Sequence, residues 1–334
     1  MTSQNNGLVN LGNTCYMNSA IQCLTHLFIF NQDNSEFLKD IGKRNKQNDD
    51  ELMVEWIGLQ EELINNSSNT PVNPSKFLIC FMNKIKKYDF YFESFRQNDC
   101  EEFINRLVEL LHKSIERKIS FQIDGTPENN MDRLAIKAMN TWKTFFESNY
   151  SYIIYKTYSQ LLAITSCTNC DYVSTNHEPL LVISLEIKEN CNSIEDCLSN
   201  HIKMDKLDQN NLWKCDKCNQ KIQPERKLVF WNLSDLLIIK LKRYNSNGNK
   251  INKDIKYSEL LDMSKYTINY ADKDTLYKLV GICIQDGGLN GGHYYAICRN
   301  NNNEWYIYND ANVKKIDKKE VYNYKPYCLF YKLI

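Results

Sequence analysis

No charge of either sign is in excess in this 334-residue chain. Lys plus Arg and Asp plus Glu number 41 each. A chain without a bulk basic field has no long-range attraction for nucleic acid or anionic membrane, though a local basic patch stays open to it. Long apolar runs are also missing. Spanning a bilayer takes about 20 apolar residues; the longest candidate here, 233–241, is interrupted by Ser234, Asp235 and Lys240. The opening residues MTSQNNG carry no apolar core of a secretion signal. These absences exclude a membrane span and argue against export. The thirteen cysteines are therefore read as thiols in a reducing compartment and not as a disulfide frame. The sequons within Asn65-Asn66-Ser67-Ser68 read as loop for the same reason. Histidine is scarce, at five. There are no internal repeats and no low-complexity linker. What remains, 43% hydrophobic and 25% charged, is an ordinary globular composition sufficient for one large domain or two small ones.

The most informative stretch is Gly7 to Leu24, GLVNLGNTCYMNSAIQCL. Gly7 and Gly12 permit tight turns, and Asn13 and Thr14 are helix-capping types. Met17, Ala20, Ile21, Leu24, Leu27 and Phe28 then recur at steps of three and four, one apolar helical face. Cys15 thus falls in the first turn of a helix that points into a core. The partial positive charge of a helix N-terminus favours a thiolate. A small buried cysteine would fit the same position.

Further helices are expected over Glu51 to Ile64, from Asn73-Pro74 through Lys87, from Asp99 onward with Phe103, Leu107, Leu110 and Leu111 as buried stripe, and over Met131 to Phe146. Segments 40–50 and 124–132 read as loops. From Tyr150 the pattern turns to short β-branched and aromatic runs, which argue for strands. Ser193 to Asp196 suits a helix cap. Strands are expected at 227–231, 236–244, 276–285, 293–299, 304–308 and 327–333. A mainly helical first part and a mainly β second part give an α+β fold.

Cys167-x2-Cys170 and Cys215-x2-Cys218 make two knuckles separated by a β-rich insert. One such pair could be a redox motif. Two supply four thiolates in a tetrahedron, which suits a single structural zinc ion. His177 and His201 lie near, but four cysteines leave neither needed. The knuckles carry few basic or aromatic side chains, unlike nucleic-acid-binding ribbons.

A cysteine nucleophile needs a base within hydrogen-bond reach and a group to orient that base. His26 lies too far along the Cys15 helix, His112 lies along another, and His177 and His201 flank the knuckles. His293 follows Gly291-Gly292 and opens a strand. Pairing of 293–299 with 304–309 would bring Asn309 or Asp310 to its imidazole.

Taken together, GLxNLGNTCYMNSxxQCL, the segment QNDCEEF at 97–103, the paired knuckles and NGGHYYAICRN…EWYIYND resemble the boxes of the ubiquitin-specific proteases. These are papain-like deubiquitinating cysteine proteases, and the resemblance runs from about Gly7 to Leu333. It implies a helical thumb (about 7–120), zinc-binding fingers (about 150–232) and a palm of antiparallel sheet (mainly 233–333). It implies Cys15 as nucleophile, His293 as base, Asn309 as the third catalytic residue and Asp310 as the neighbouring support. Asn10, by itself a turn residue, is implied to donate its side-chain amide to the oxyanion, with the Cys15 N–H as second donor. Asp99 and Glu102 are implied to hold the basic tail of ubiquitin, although a cap and a helix dipole explain two acids there equally well. Asn98 and Cys100 depart from that second box. Leu241-Lys242-Arg243-Tyr244 resembles a strand that usually ends in Phe, with 245–250 as a loop over the cleft. Gln285 stands where many members have His, in the loop lining the tail channel.

The implied reaction is hydrolysis of the bond after the C-terminal glycine of ubiquitin or polyubiquitin conjugates, in the cytoplasm or the nucleus. Two alternatives share the resemblance: a non-catalytic ubiquitin-binding scaffold, and a protease for a ubiquitin-like modifier. No targeting or ubiquitin-like domain flanks the matched stretch, so location and regulation are expected to rest on a partner protein.

Overall fold

The computed structural model describes residues 5–29, 50–66, 70–90, 92, 96–148, 150–206, 212–268, 270–288 and 292–334. Most of the loop expected at 40–50, the residues Ser67 and Ser68, part of the 88–95 aromatic segment and Gly291 lie outside it. Four helices form the thumb: α1 (Cys15–Ile29), α2 (Glu51–Asn65), α3 (Ser75–Lys87) and α4 (Cys100–Ile115). Asp50 caps α2 through Leu52 N and Met53 N, and Asp99 caps α4 through Glu101 N at 2.7 Å. These side chains accept from amides that have no partner inside a helix. Asn73 Oδ1 accepts from Ser75 N at the head of α3, the expected role.

The amphipathic reading of α1 is too modest. Every residue from 14 to 25 is buried, polar ones included. The helix lies between the palm sheet and the rest of the thumb, so both faces need a partner. Two of its polar side chains find acceptors close by: Ser19 Oγ donates to Tyr16 O, and Gln22 Nε2 to Asn6 O at 2.8 Å.

Next come α5 (Asn130–Ser148) and α6 (Tyr152–Thr157). The strand signal from Tyr150 is overturned for α6. Ser151 Oγ accepts from Ile154 N, and Ile153 and Ile154 are buried, so capping and tertiary burial outweigh the β preference of the run. From there the chain is mostly strand: β1 (Ser159–Ser166), β2 (Val173–Leu180), β3 (Val182–Glu186), the helix α7 (Ile194–His201), β4 (Asp205–Lys206), β5 (Trp213–Lys214), β6 (Lys221–Ile222), β7 (Glu225–Asn232) and β8 (Leu236–Lys242). It ends with β9 (Leu260–Asp262), β10 (Leu276–Asp286), β11 (His293–Arg299), β12 (Trp305–Asn309), β13 (Asn312–Ile316), the short helix α8 (Lys318–Val321) and β14 (Pro326–Leu333). Ser193 and Asp196 form the capping box of α7.

The palm sheet has the order β13-β12-β11-β10-β14-β8-β3, with β9 beside β10. It is antiparallel except for β3, which runs parallel to β8. Side chains alternate between its two faces. Ile238, Val280, Cys283, Ala296, Cys298 and Phe330 pack against the thumb. Ile239, Leu241, Ile282, Ile284, Leu329 and Tyr331 pack on the other side with α7. The fingers are the sheet β2-β1-β7-β4 with the β5–β6 hairpin. Helix α5 lies over them through Ala135, Ala138, Leu162 and Trp231.

Candidate active site

The segment before α1 is fixed by close approach. A Cβ on Gly7 would sit 2.6 Å from the carbonyl oxygens of Asp310 and Ala311, so only glycine fits. Leu8 N donates to Asp310 O at 2.9 Å. Asn10 Oδ1 then accepts from Gly12 N at 2.9 Å and from Thr14 N at 3.3 Å. Gly12 and Asn13 adopt positive φ, +97° and +54°. Thr14 Oγ1 turns back to accept from Leu11 N and to donate to Asn10 Oδ1. Thr14 therefore locks the turn that delivers Cys15 to the first position of α1.

Asn10 also donates from Nδ2 to Asp310 Oδ2 at 2.9 Å, and Asn18 Nδ2 donates to Asp310 Oδ1 at 2.7 Å. The Asp310 carboxylate thus binds the cysteine segment at two points. Asp310 itself has φ +52° in the two-residue turn between β12 and β13. Asn10 is exposed, and one of its two amide hydrogens remains for a ligand.

His293 is the first residue of β11. Its Nε2 lies 2.6 Å from Asn309 Oδ1, at the end of β12. With that oxygen as acceptor, Nε2 carries the proton and Nδ1 is the basic nitrogen. The ring stacks on Tyr295. Gln97 holds the preceding residue from both sides: Nε2 donates to Gly292 O at 2.7 Å and Oε1 accepts from Gly292 N at 3.2 Å. Cys15 Sγ shares no hydrogen bond with the imidazole. Burial pushes the thiol pKa up, the main effect, and the Asp310 charge adds to it; the Tyr294 N–H and the first α1 amides act the other way. Burial thus overrides the helix-terminus effect that the sequence alone suggests.

The other four histidines are structural. His26 packs on Tyr308, His177 edge-on to Trp231 and His201 on Phe230, while His112 Nδ1 pairs with Ser151 Oγ at 2.8 Å.

At the head of α4, Asp99 is engaged internally. It caps the helix, accepts from Lys240 Nζ at 3.1 Å and bonds Tyr327 Oη. Glu101 pairs with Lys240 and accepts from Ser184 Oγ. Glu102 makes no hydrogen bond among the described residues, and burial raises its pKa. Glu101, Lys240 and Tyr327 escaped the sequence reading, since their only signal is three-dimensional. Asn18 could have been found, one turn after Cys15.

At the far end of the fingers the four knuckle sulfurs lie within 4.8 Å of one another. Cys167 and Cys218 are 3.9 Å apart, Cys170 and Cys215 3.7 Å. A tetrahedral zinc with bonds of about 2.3 Å puts its sulfurs about 3.8 Å apart. Asn169 N donates to Cys167 Sγ, which favours a thiolate. The cluster has the donors and spacing to hold a metal ion.

The fold joins a helical thumb, a palm sheet and fingers, with Cys15 on the thumb and the His293–Asn309 pair on the palm. A family model for ubiquitin carboxyl-terminal hydrolase matches residues 6–331. The chain belongs to the ubiquitin carboxyl-terminal hydrolase family. It is 28% identical over 361 residues to ubiquitin carboxyl-terminal hydrolase 21 of Mus musculus, covering 98% of this chain and 61% of that protein. It is 28% identical to ubiquitin carboxyl-terminal hydrolase 2 of Bos taurus, covering 98% and 55%. The chain therefore spans little more than half the length of these curated relatives. Among solved structures, the SAGA Ubp8/Sgf11/Sus1/Sgf73 DUB module bound to ubiquitin aldehyde has a chain similar in fold. The TM-score is 0.73 at 24% identity, over 100% of this chain and 72% of that one.

Proposed function

We propose that this chain is a thiol-dependent deubiquitinase that hydrolyses the isopeptide or peptide bond after the C-terminal glycine of ubiquitin. The observation that carries the proposal is the His293–Asn309 pair, held at the mouth of the turn that presents Cys15. Asn309 fixes the imidazole with Nδ1 free to take the Cys15 proton. The thiolate attacks the glycine carbonyl carbon. The Asn10 amide and the Cys15 N–H stabilise the oxyanion. His293 returns the proton to the departing lysine amine as the carbon–nitrogen bond breaks. It then draws a proton from water, which attacks the thioester and releases Cys15. Asp310 keeps Asn10 in place.

The same reading divides the chain into thumb, fingers and palm at about 7–120, 150–232 and 233–333. It assigns the basic tail of ubiquitin to Asp99 and Glu102. Glu102 has the unbonded carboxylate, whereas Asp99 acts through Lys240 and Tyr327. One zinc ion held by Cys167, Cys170, Cys215 and Cys218 would brace the fingers and take no part in the chemistry. No helix among the described residues is long and apolar enough to cross a membrane; the reading places the protein in the cytoplasm or nucleus.

The raised thiol pKa and the missing Cys15–His293 hydrogen bond favour one refinement: activation on binding of substrate or of a regulatory protein. The solved relative is itself an assembly with Sgf11, Sus1 and Sgf73. The test is hydrolysis of a ubiquitin C-terminal fluorogenic conjugate beside Cys15→Ala and a SUMO conjugate. Turnover of ubiquitin alone, lost in Cys15→Ala, is expected. Binding of ubiquitin without turnover, unrelieved by added partners, would leave the scaffold reading.

A further inference from the structure

Two positions where this sequence departs from the pattern it resembles, Tyr244 and Gln285, are the two ends of one hydrogen bond. Tyr244 Oη donates to Gln285 Oε1 at 2.9 Å. The other half of the same amide, Nε2, donates to Gly288 O at 3.1 Å. Gln285 is 5% exposed. It lies in β10 opposite Tyr294, the residue after His293. Around it, Lys250 Nζ reaches across from the 245–250 loop to Gln285 O at 2.6 Å and Gly287 O at 2.9 Å. Gly292 rests directly on the Gln285 amide: a Cβ there would come within 2.2 Å of Nε2. Gln97 closes the far side of Gly292. The backbone that ends in His293 is thus wedged between two glutamine amides, one of which is fastened to Tyr244.

We propose that Gln285 is a positioning residue for His293, and that it works as a matched pair with Tyr244. The chemistry of the pair explains the coincidence of the two departures. A carboxamide accepts at one end and donates at the other, and no accessible pH changes this. It therefore satisfies a tyrosine donor and a carbonyl acceptor at once. An imidazole can do both only while neutral; once protonated it donates from both nitrogens, and the Tyr244 hydroxyl must turn from donor to acceptor to keep the bond. A phenylalanine at 244 offers no hydroxyl and removes that constraint. A glutamine at 285 fits a tyrosine. This inference rests on the deubiquitinase reading for its substrate but not for its geometry.

Four variants test it: Gln285→Leu, Gln285→His, Tyr244→Phe and the double variant Tyr244→Phe/Gln285→His. With the ubiquitin conjugate, Gln285→Leu is expected to lower kcat by about tenfold while KM stays within about twofold, as for a lost orienting contact. Gln285→His is expected to lose kcat further as pH falls below about 6.5, where an unperturbed imidazole charges. The double variant is expected to regain that acid limb, a coupling that independent sites would not show. A second readout needs no ubiquitin: the pH profile of Cys15 alkylation by iodoacetamide and the His293 ring resonances. Both are expected to change in Gln285→Leu at an unaltered melting temperature. If no conjugate is cleaved but these free-enzyme signals move, the substrate assignment fails and the positioning role stands. Unchanged kcat, alkylation profile and ring resonances in Gln285→Leu would overturn the proposal, as would additive behaviour of the double variant.

Discussion

Asp310 fastens two segments that lie almost 300 residues apart. Its carboxylate accepts from Asn10 and Asn18, its carbonyl from Leu8 N, and its positive φ closes the turn that carries Asn309. Its charge also raises the Cys15 pKa. Asp310→Asn removes that charge, so the midpoint of Cys15 alkylation against pH is expected to move down even as turnover drops. A midpoint that moves up would contradict the electrostatic assignment. At His26 the sign is opposite in origin. Burial lowers its pKa to about 4, so the folded state holds the neutral ring. The unfolded chain binds a proton near pH 6.5, and stability conferred by neutral His26 is present above that pH and lost as pH falls toward 4. The full effect is roughly 3 kcal/mol at one pH unit per 1.36 kcal/mol. A His26→Phe variant is expected to flatten that part of the acid limb in urea titrations between pH 7 and 4.

Among the elements, α4 shows most clearly how a head group is organised. Lys240 on β8 faces Asp99 and Glu101 on the helix terminus and lies over the Tyr327 ring. Lys240→Met would leave two carboxylates and a tyrosine facing each other without a cation. The cost is expected at about 2 kcal/mol in chemical denaturation, below that of a fully buried pair because the acids are partly exposed. Periodicity and caps made most of these elements legible. Asp99, Ser193 and the Phe103 stripe can be read from spacing, because local hydrogen bonds and one buried face decide them. The edge strands β9 and β13 and the three two-residue strands β4, β5 and β6 were not legible. They are defined by partners far away in sequence, and their own residues have no period. The helix α6 was misread for the same reason, its isoleucines being buried by contacts outside the window. In the site, Cys15, His293 and the knuckles stand out as residue types in motifs. The links that hold them, such as Gln97 on Gly292 and Lys240 on Asp99, are ordinary polar residues whose partners appear only with the fold.

For the whole molecule, the thumb and palm share one core and the opposite palm face has another, which Leu161 and Phe230 of the fingers join at their base, while farther out the described residues of the fingers form a small apolar cluster under α5. The knuckle cluster stands in for a core at the fingers' end. If the knuckles hold zinc as proposed, its chelation is expected to raise amide hydrogen exchange across 167–175 and 213–222 and leave α1 and β10 protected. Exchange that rises in the palm as well would mean that the fingers and palm unfold together.

The order of strands in the palm also sets a sequence of events in time. Strand β14 lies between β10 and β8, yet it follows both in the sequence. Until it emerges from the ribosome, β8 and β10 cannot join and the turn bearing Asp310 has no settled sheet behind it. Cys15 is synthesised before His293, at rates that separate them by many seconds. A nascent chain thus carries Cys15 long before it carries His293, and the sheet that sets the two in relation closes only when β14 slides into its middle.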